Sequence, residues 1–332
     1  MIVHNTCIDL LDILTRYDFE YFLSYFEGKS NEDFCNSMNP FELTWGDSNI
    51  WYWQGFKSYW QVTGDFNKPP MVLIHGFGAS SSHWRRNALD FAEAGFCVYG
   101  IDLIGFGKSE QPGPRKLSKI DNEFWAKQLI AFIQQIVLIE SNFKKVILIG
   151  NSLGSLAALT AVGMRIDLVS AMISAPLPDP ALMINNFRFS SIKILQRIKY
   201  FVFKVFFKLL PLELIVPLIS YTKIINFALQ SAYNKSIKKD KVLNSIVTQP
   251  ARRKTAPRAL RAMCIGMTTR TTNITAPRLL KNIANSESRI PILLVWGRED
   301  RLVPFSVARM LIKKNPWLDL LVLEDTGHCP HD

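Results

Sequence analysis

"VILIGNSLGSLAAL", residues 146–159, is the stretch whose reading decides the fold. Its first half is a short apolar, β-rich run, and its second half is made of small helix-forming residues. Between them stands Gly150-x-Ser152-x-Gly154. A sharp strand-to-helix turn of this kind projects its Ser out of the sheet in a strained backbone conformation. The flanking glycines leave room for the tight turn and for close packing. The N-terminus of the following helix favours negative charge on the reacting group. Ser152 is therefore the candidate nucleophile; the plainer alternative is a tight turn that happens to contain a serine.

A lone serine is a weak nucleophile and needs a base. In strand–turn–helix sites of this kind the partners follow in the order Ser, acid, His. "VWGREDRLVP" supplies Asp300, three residues after a strand-ending Gly, and "VLEDTGHCP" supplies His328 after the next strand. Reacting groups gather at the carboxyl ends of parallel strands, where all three candidates fall. Ser152 would attack, His328 would take its proton, and Asp300 would orient the imidazole. Asp179, in "APLPDP", follows another strand and is the rival acid; its alternative is a turn residue at the entry to a cap. Glu299 should point away from its neighbour Asp300. His331 reads as a neighbour of the site or a surface residue, and His83 and His4 as structural or exposed.

"LIHGFGASSSHW" carries a second signal. His75-Gly76-Phe77-Gly78 follows a strand and is similar to oxyanion loops, in which backbone N–H groups meet a developing negative charge. The Phe77 and Leu153 N–H groups are the candidate donors. The glycines of the loop and turn are Gly76, Gly78, Gly150 and Gly154. "IDLIGFGKSEQP" lacks the spacing of a phosphate-binding loop, and Asp102 reads as the organiser of a turn.

Around these motifs, short apolar runs at 71–76, 96–103, 144–150, 168–176, 291–297 and 319–325 alternate with helical stretches such as 121–139 and 153–164. Nearly continuous apolar strands are buried on both faces, which implies a parallel sheet with helices on both faces. "NIWYWQGFKSYWQVTG" (49–64) predicts a hairpin joined at Gln54-Gly55. Residues 8–27 have helical apolar spacing with acids on the other face. The long interval 177–289 has no convincing strand and reads as an inserted helical subdomain. The expected divisions are an N-terminal helical extension (1–45), a first core part (46–176), a helical cap (177–289) and a second core part (290–332).

The charge is concentrated in that interval. The chain carries a formal +11, but residues 176–290 hold 20 Lys and Arg against 4 Asp and Glu, leaving the remainder net acidic. Apolar helices over the site would suit a bulky lipophilic substrate, and the basic residues would hold the cap against an anionic membrane. The alternative is an ordinary lid, apolar where it packs and basic where it is solvated. No nucleic-acid reading module is present, so nucleic acid is not expected as a partner. Cys7, Cys35, Cys97, Cys264 and Cys329 are odd in number and far apart, as structural thiols in a reducing compartment would be. The first twenty residues lack the basic start of a signal peptide, so secretion is not expected. The most apolar stretch, 201–220, is interrupted by charges and prolines, so no transmembrane helix is expected.

With these residues in view, the chain resembles the α/β-hydrolase superfamily over about residues 46–332. More narrowly, "HGFG…HW", "GIDLIGFGKS", "GNSLG" and "GHCPHD" resemble a cyanobacterial and plastid group that includes pheophytinase and chlorophyll dephytylase. The resemblance implies an α/β-hydrolase fold, a triad of Ser152, Asp300 and His328, and an oxyanion hole at Phe77 and Leu153. It implies cleavage of a long isoprenoid or acyl ester through an acyl-enzyme, with no metal or cofactor, in the cytoplasm or at an internal, thylakoid-like membrane. Acyl transfer, C–C bond hydrolysis, or a receptor-like protein with little turnover are the alternatives. Two departures stand out. Ser155 takes the place of a usual second Gly, and the group's pattern continues past "GHCPHD" into a final helix expected to cover the sheet near His328.

Overall fold

Two consecutive residues with positive φ, Gln54 (50°) and Gly55 (77°), turn the chain back on itself between β1 (Asp47–Trp53) and β2 (Phe56–Thr63). Such a two-residue turn matches the right-handed twist of the strands it joins, and this is the hairpin expected at 49–64. The computed structural model describes residues 44–139, 141–183, 201–202 and 205–332. The helix expected over 8–27 and His4 lie outside the described residues.

Six further strands complete one eight-stranded sheet: β3 (Pro70–Ile74), β4 (Cys97–Ile101), β5 (Val146–Asn151), β6 (Val169–Ala175), β7 (Ile292–Gly297) and β8 (Asp319–Leu323). The order across the sheet is β1-β2-β4-β3-β5-β6-β7-β8. β2 runs antiparallel to β1 and β4, and every other pairing is parallel. The helices are α1 (Ala88–Glu93), α2 (Asn122–Phe132), α3 (Leu153–Met164), α4 (Pro180–Met183), α5 (Leu212–Tyr221), α6 (Ile224–Gln230), α7 (Lys241–Arg252), α8 (Ala256–Thr269), α9 (Ala276–Ala284) and α10 (Phe305–Lys314). Between β6 and β7 the described residues contain helices and no strand.

Burial on both faces follows from the period of two along each strand. Val72 and Ile74 of β3, Val146 and Leu148 of β5, and Ile292 and Leu294 of β7 enter one core with α2, α3, α9 and α10. Their alternates Met71, Leu73, Ile147, Ile149, Leu293 and Val295 enter a second core on the opposite face, with Trp84 and α1. An all-apolar strand is stable only when both faces are covered in this way. Helix α3 is apolar around its whole circumference and is buried from Leu153 to Val162, as such a helix must be. Helix starts are set by carboxylates: Asp121 accepts from the Phe124 N–H at 3.0 Å and Asp240 from the Leu243 N–H at 2.8 Å.

The site depends on how closely α3 approaches β3. A Cβ at Gly154 would lie 2.3 Å from the Ile74 carbonyl oxygen and 2.6 Å from that of His75. Backbone cannot yield as a side-chain tip does, so the helix start would have to move. Ser155 tightens the same junction. Its hydroxyl donates to the Gly150 carbonyl at 2.6 Å and accepts from the Ala175 N–H at 3.2 Å. Gly154→Ala is expected to destabilise the protein by about 1–3 kcal/mol through overpacking. Urea unfolding measures this, and a variant as stable as the parent would show that α3 can slide away from β3 at no cost.

Candidate active site

Ser152 sits between the end of β5 and the first turn of α3 with φ 51° and ψ −116°. This is a disfavoured backbone conformation for a residue with a side chain, and such strain concentrates at functional sites. The turn is held by the Ser152 N–H, which donates to the Ala175 carbonyl at 3.1 Å, and by Asn151, whose amide donates to the same carbonyl at 2.6 Å. The Asn151 amide also reaches the His328 carbonyl at 3.3 Å, which ties the serine turn to the histidine loop.

The three residues singled out from the sequence are in hydrogen-bond contact. His328 Nε2 lies 2.8 Å from Ser152 Oγ, and His328 Nδ1 lies 2.9 Å from Asp300 Oδ2. The carboxylate can only accept, so the ring proton belongs on Nδ1 and Nε2 is free to accept from the serine hydroxyl. Asp300 is buried, and its second oxygen accepts the N–H groups of Leu302 (2.8 Å) and Val303 (2.9 Å). Those bonds fix the carboxylate's orientation without competing for the imidazole.

The rival residues are engaged elsewhere. Asp179 is completely enclosed as a side chain and forms an ion pair with Arg270. It also accepts the Ala181 N–H at 2.8 Å and the Ala276 N–H at 2.7 Å, so it starts two helices. Glu299 accepts the Thr326 N–H at 2.9 Å. Asp102 is buried and organises a turn: it accepts the N–H groups of Ser81 (2.6 Å) and Lys108 (2.7 Å).

The loop His75–Gly78 abuts the serine turn. A Cβ at Gly76 would come within 2.4 Å of Asn151 Oδ1 and 3.4 Å of Ser152 Cβ. Buried His75 shapes this loop, accepting the Leu103 N–H on Nε2 at 3.0 Å, with Nδ1 2.8 Å from the Gly76 carbonyl. Burial lowers its pKa and keeps the ring neutral. Gly78 takes φ +74° in open space. Phe77 is 62% exposed, and its ring meets that of Phe106 edge-on at 5.5 Å. Leu153 is the first residue of α3, a position whose N–H has no partner within the helix.

The segment between β6 and β7 presses directly on the histidine loop. The His328 N–H donates to the Ala232 carbonyl at 2.8 Å. A Cβ at Gly327 would lie 2.6 Å from that same carbonyl oxygen, so only glycine fits there. Behind this contact runs a buried polar chain. His331 Nε2 lies 3.2 Å from His83 Nδ1, His83 Nε2 lies 2.8 Å from the Tyr233 hydroxyl, and that hydroxyl donates to Asp332 at 2.8 Å. Arg85 then bridges Asp332 (3.0 and 3.1 Å) and Asp240 (2.9 and 2.6 Å). Burial alone would raise the Asp332 pKa, but Arg85 and His83 outweigh it and hold the carboxyl well below the usual range. His331, left open as neighbour or surface residue, and His83, left open as structural or exposed, are both buried parts of this chain.

Sequence reasoning missed Asn151, Arg85, Tyr233 and Asp332. Asn151 lies inside the quoted turn motif and was open to notice there. The other three carry no local signal, because their partners lie 99 to 247 residues away. Among the described residues no group of His, Cys, Asp or Glu is arranged to hold a metal ion.

A family model described as alpha/beta hydrolase fold matches residues 69–332. The chain belongs to that family. Within the alpha/beta hydrolases, it is 27% identical over 282 residues to a pimeloyl-[acyl-carrier protein] methyl ester esterase of Vibrio atlanticus, covering 82% of this chain and 91% of the relative. It is 28% identical over 127 residues to epoxide hydrolase 4 of Mus musculus, a match spanning 38% of this chain and only 33% of that relative's length. Among solved hydrolase structures, the Cif epoxide hydrolase from Acinetobacter nosocomialis superposes with a TM-score of 0.66 at 18% identity, covering 92% of this chain and 90% of the other. The thioesterase domain from the curacin biosynthetic pathway gives 0.63 at 16%, covering 86% and 94%. At these identities the structural likeness establishes the fold.

Two outcomes follow for this protein. Arg85→Ala leaves the buried Asp332 without its main counter-charge and is expected to cost about 3–5 kcal/mol in urea unfolding; a loss under 1 kcal/mol would show the bridge to be incidental. The second concerns pH. Burial lowers the pKa of both His75 and His331 in the folded state. Below about 6.5 the unfolded chain therefore binds protons that the native state does not, and stability falls with pH, by up to about 1.4 kcal/mol per pH unit for each group. Thermal unfolding between neutral and mildly acidic pH, above the carboxylate range, reads this out; a flat profile would contradict it.

Proposed function

We propose that this protein is a serine hydrolase that cleaves a lipophilic carboxylic ester through an acyl-enzyme intermediate. The observation that carries the reading is the continuous contact from Ser152 Oγ to His328 Nε2 at 2.8 Å and from His328 Nδ1 to Asp300 at 2.9 Å. His328 takes the hydroxyl proton as Ser152 Oγ bonds to the ester carbonyl carbon, and Asp300 stabilises the resulting imidazolium. The carbonyl oxygen becomes an oxyanion facing the N–H groups of Phe77 and Leu153. As the tetrahedral intermediate collapses, the C–O bond to the alcohol breaks and His328 returns its proton to the departing oxygen. Water, deprotonated by the same imidazole, then releases the acid and restores Ser152.

Serine at the turn favours this reading over the epoxide-hydrolase branch of the fold, where an aspartate attacks. The Vibrio relative, matched over nine tenths of its length, is named as a methyl ester esterase, which agrees with ester chemistry. For the substrate we propose a long isoprenoid or acyl ester, with the phytyl ester of a chlorophyll pigment as the specific candidate and an internal photosynthetic membrane as the setting. Support comes from the motif resemblance and from the apolar helices between β6 and β7.

A fluorophosphonate probe is expected to label the parent protein at Ser152 and to leave Ser152→Ala unlabelled. Ester hydrolysis by Ser152→Ala is expected to fall by about 10⁶-fold, and Asp300→Asn to lower kcat by about 10⁴-fold through loss of the correct tautomer. Pheophytin should be hydrolysed faster than short acyl esters. Turnover confined to short soluble esters sinks the pigment assignment, and an unlabelled parent protein sinks the serine mechanism. Products formed with an added alcohol acceptor would be free acid; accumulation of a new ester instead would make the protein an acyltransferase.

A further inference from the structure

Seventeen large apolar residues are exposed among the described residues, and ten of them fall within 201–227. Their spacing is regular. On α5, Leu214, Leu218 and Tyr221 stand at i, i+4 and i+7 on one exposed stripe, while Leu212 and Ser220 are buried. On α6, Ile224 and Phe227 at i and i+3 continue it, and Phe206 and Leu209 form the same pattern in the helical residues before α5. These seven side chains are between 53% and 80% exposed. A surface helix ordinarily turns its polar stripe outward; here the polarity is inverted over three successive segments.

The same stretch of chain is rich in exposed positive charge. Lys208, Lys223, Lys235, Lys238, Lys239 and Lys241 are all exposed. The acids of 201–241 are Glu213 and Asp240. Glu213 is held by Arg261 at 2.7 Å and Asp240 by Arg85, so both carboxylates are answered from within the chain. The six ammonium groups are left to face outward. α5 and α6 together have the length and composition of a membrane span, but they meet at a bend of 75°, and no single described helix is long and apolar enough to cross.

We propose that α5, α6 and the helical residues before them form a docking surface for an anionic lipid bilayer, with the apolar stripes entering the acyl boundary and the lysines meeting headgroups. The bent pair lies on the membrane and does not span it. Side chains that each stand clear of the surface suit a fluid acyl layer, which needs no shape complementarity. Lysines that border apolar residues extend their stems along them and place their charge at headgroup level. A folded protein partner would instead call for a groove or a matching acidic face. The proposal is independent of the serine mechanism, because binding needs no turnover.

The test is sedimentation of the 332-residue chain with phosphatidylcholine vesicles, with and without phosphatidylglycerol. The parent protein and Ser152→Ala are expected to pellet alike, and at least tenfold more strongly with the anionic vesicles. Leu218→Asp combined with Phe227→Asp is expected to lower that binding at least tenfold while leaving thermal unfolding unchanged, since both side chains are exposed. Lys238→Glu combined with Lys239→Glu should remove the preference for anionic lipid. The proposal is overturned if the parent pellets with neither vesicle, or if the double aspartate variant binds as well as the parent. Concentration-dependent self-association abolished by the aspartates, without vesicle binding, would also overturn it and assign the face to a second copy of this chain.

Discussion

The packing of Gly154 against the carbonyls of Ile74 and His75 is the constraint on which the rest of the site depends. It brings the start of α3 onto the end of β3, and so places the serine turn beside the loop His75–Gly78. Ser152 is left with a positive φ because the chain must leave β5 and enter α3 within a single residue. The cost of that conformation is met locally, by the bonds of the Ser152 N–H and of Asn151 to Ala175 and of Ser155 to both neighbouring strands. A strained residue persists where its surroundings over-determine it, and this one is held from three sides.

The histidine loop is held on a different principle. His328 follows β8, the last strand of the sheet, where half-buried residues give less packing than the strands at the centre. Its position is set by contacts from outside the sheet: Ala232 on its backbone, Asn151 on its carbonyl, Asp300 on its ring. Arg85, joined to both Asp240 and Asp332, fastens the start of α7 to the residues that follow His328. The helices between β6 and β7 are therefore part of the support for the proposed base, as well as a cover near it.

The same segment faces outward with an unusual surface. Its inner side is committed to Gly327, His328 and the buried polar chain, and its outer side carries the exposed apolar stripes and the lysines. The basic excess found in the sequence between 176 and 290 thus has a structural division. Arg85, Arg261 and Arg270 neutralise the segment's own acids or bind to it, while the described lysines of the segment remain in solvent. Arginine suits the first task through its planar, multidentate head, and lysine the second through its flexible stem.

The sequence by itself determined the strand–helix alternation, the hairpin turn at Gln54-Gly55, and the order Ser152, Asp300, His328. Each is a local property: alternation appears in apolar runs, the turn in a residue pair, and the candidates in glycine-flanked strand ends. It also left choices open that only the tertiary structure decided. Asp179 and Asp300 both follow strands, and nothing nearby in the chain separates them. What separates them is Arg270, which holds Asp179 across 91 residues, while His328 meets Asp300 across 28. His83 and His331 read as unremarkable histidines until the fold enclosed them, 248 residues apart, beside Tyr233 and Asp332. The sequence marked 177–289 as helical and 201–220 as apolar, but not which faces of α5 and α6 are left outside. A period identifies which residues share a face, whereas the packing of Leu212 and Ser220 inward decides that Leu214, Leu218 and Tyr221 point out.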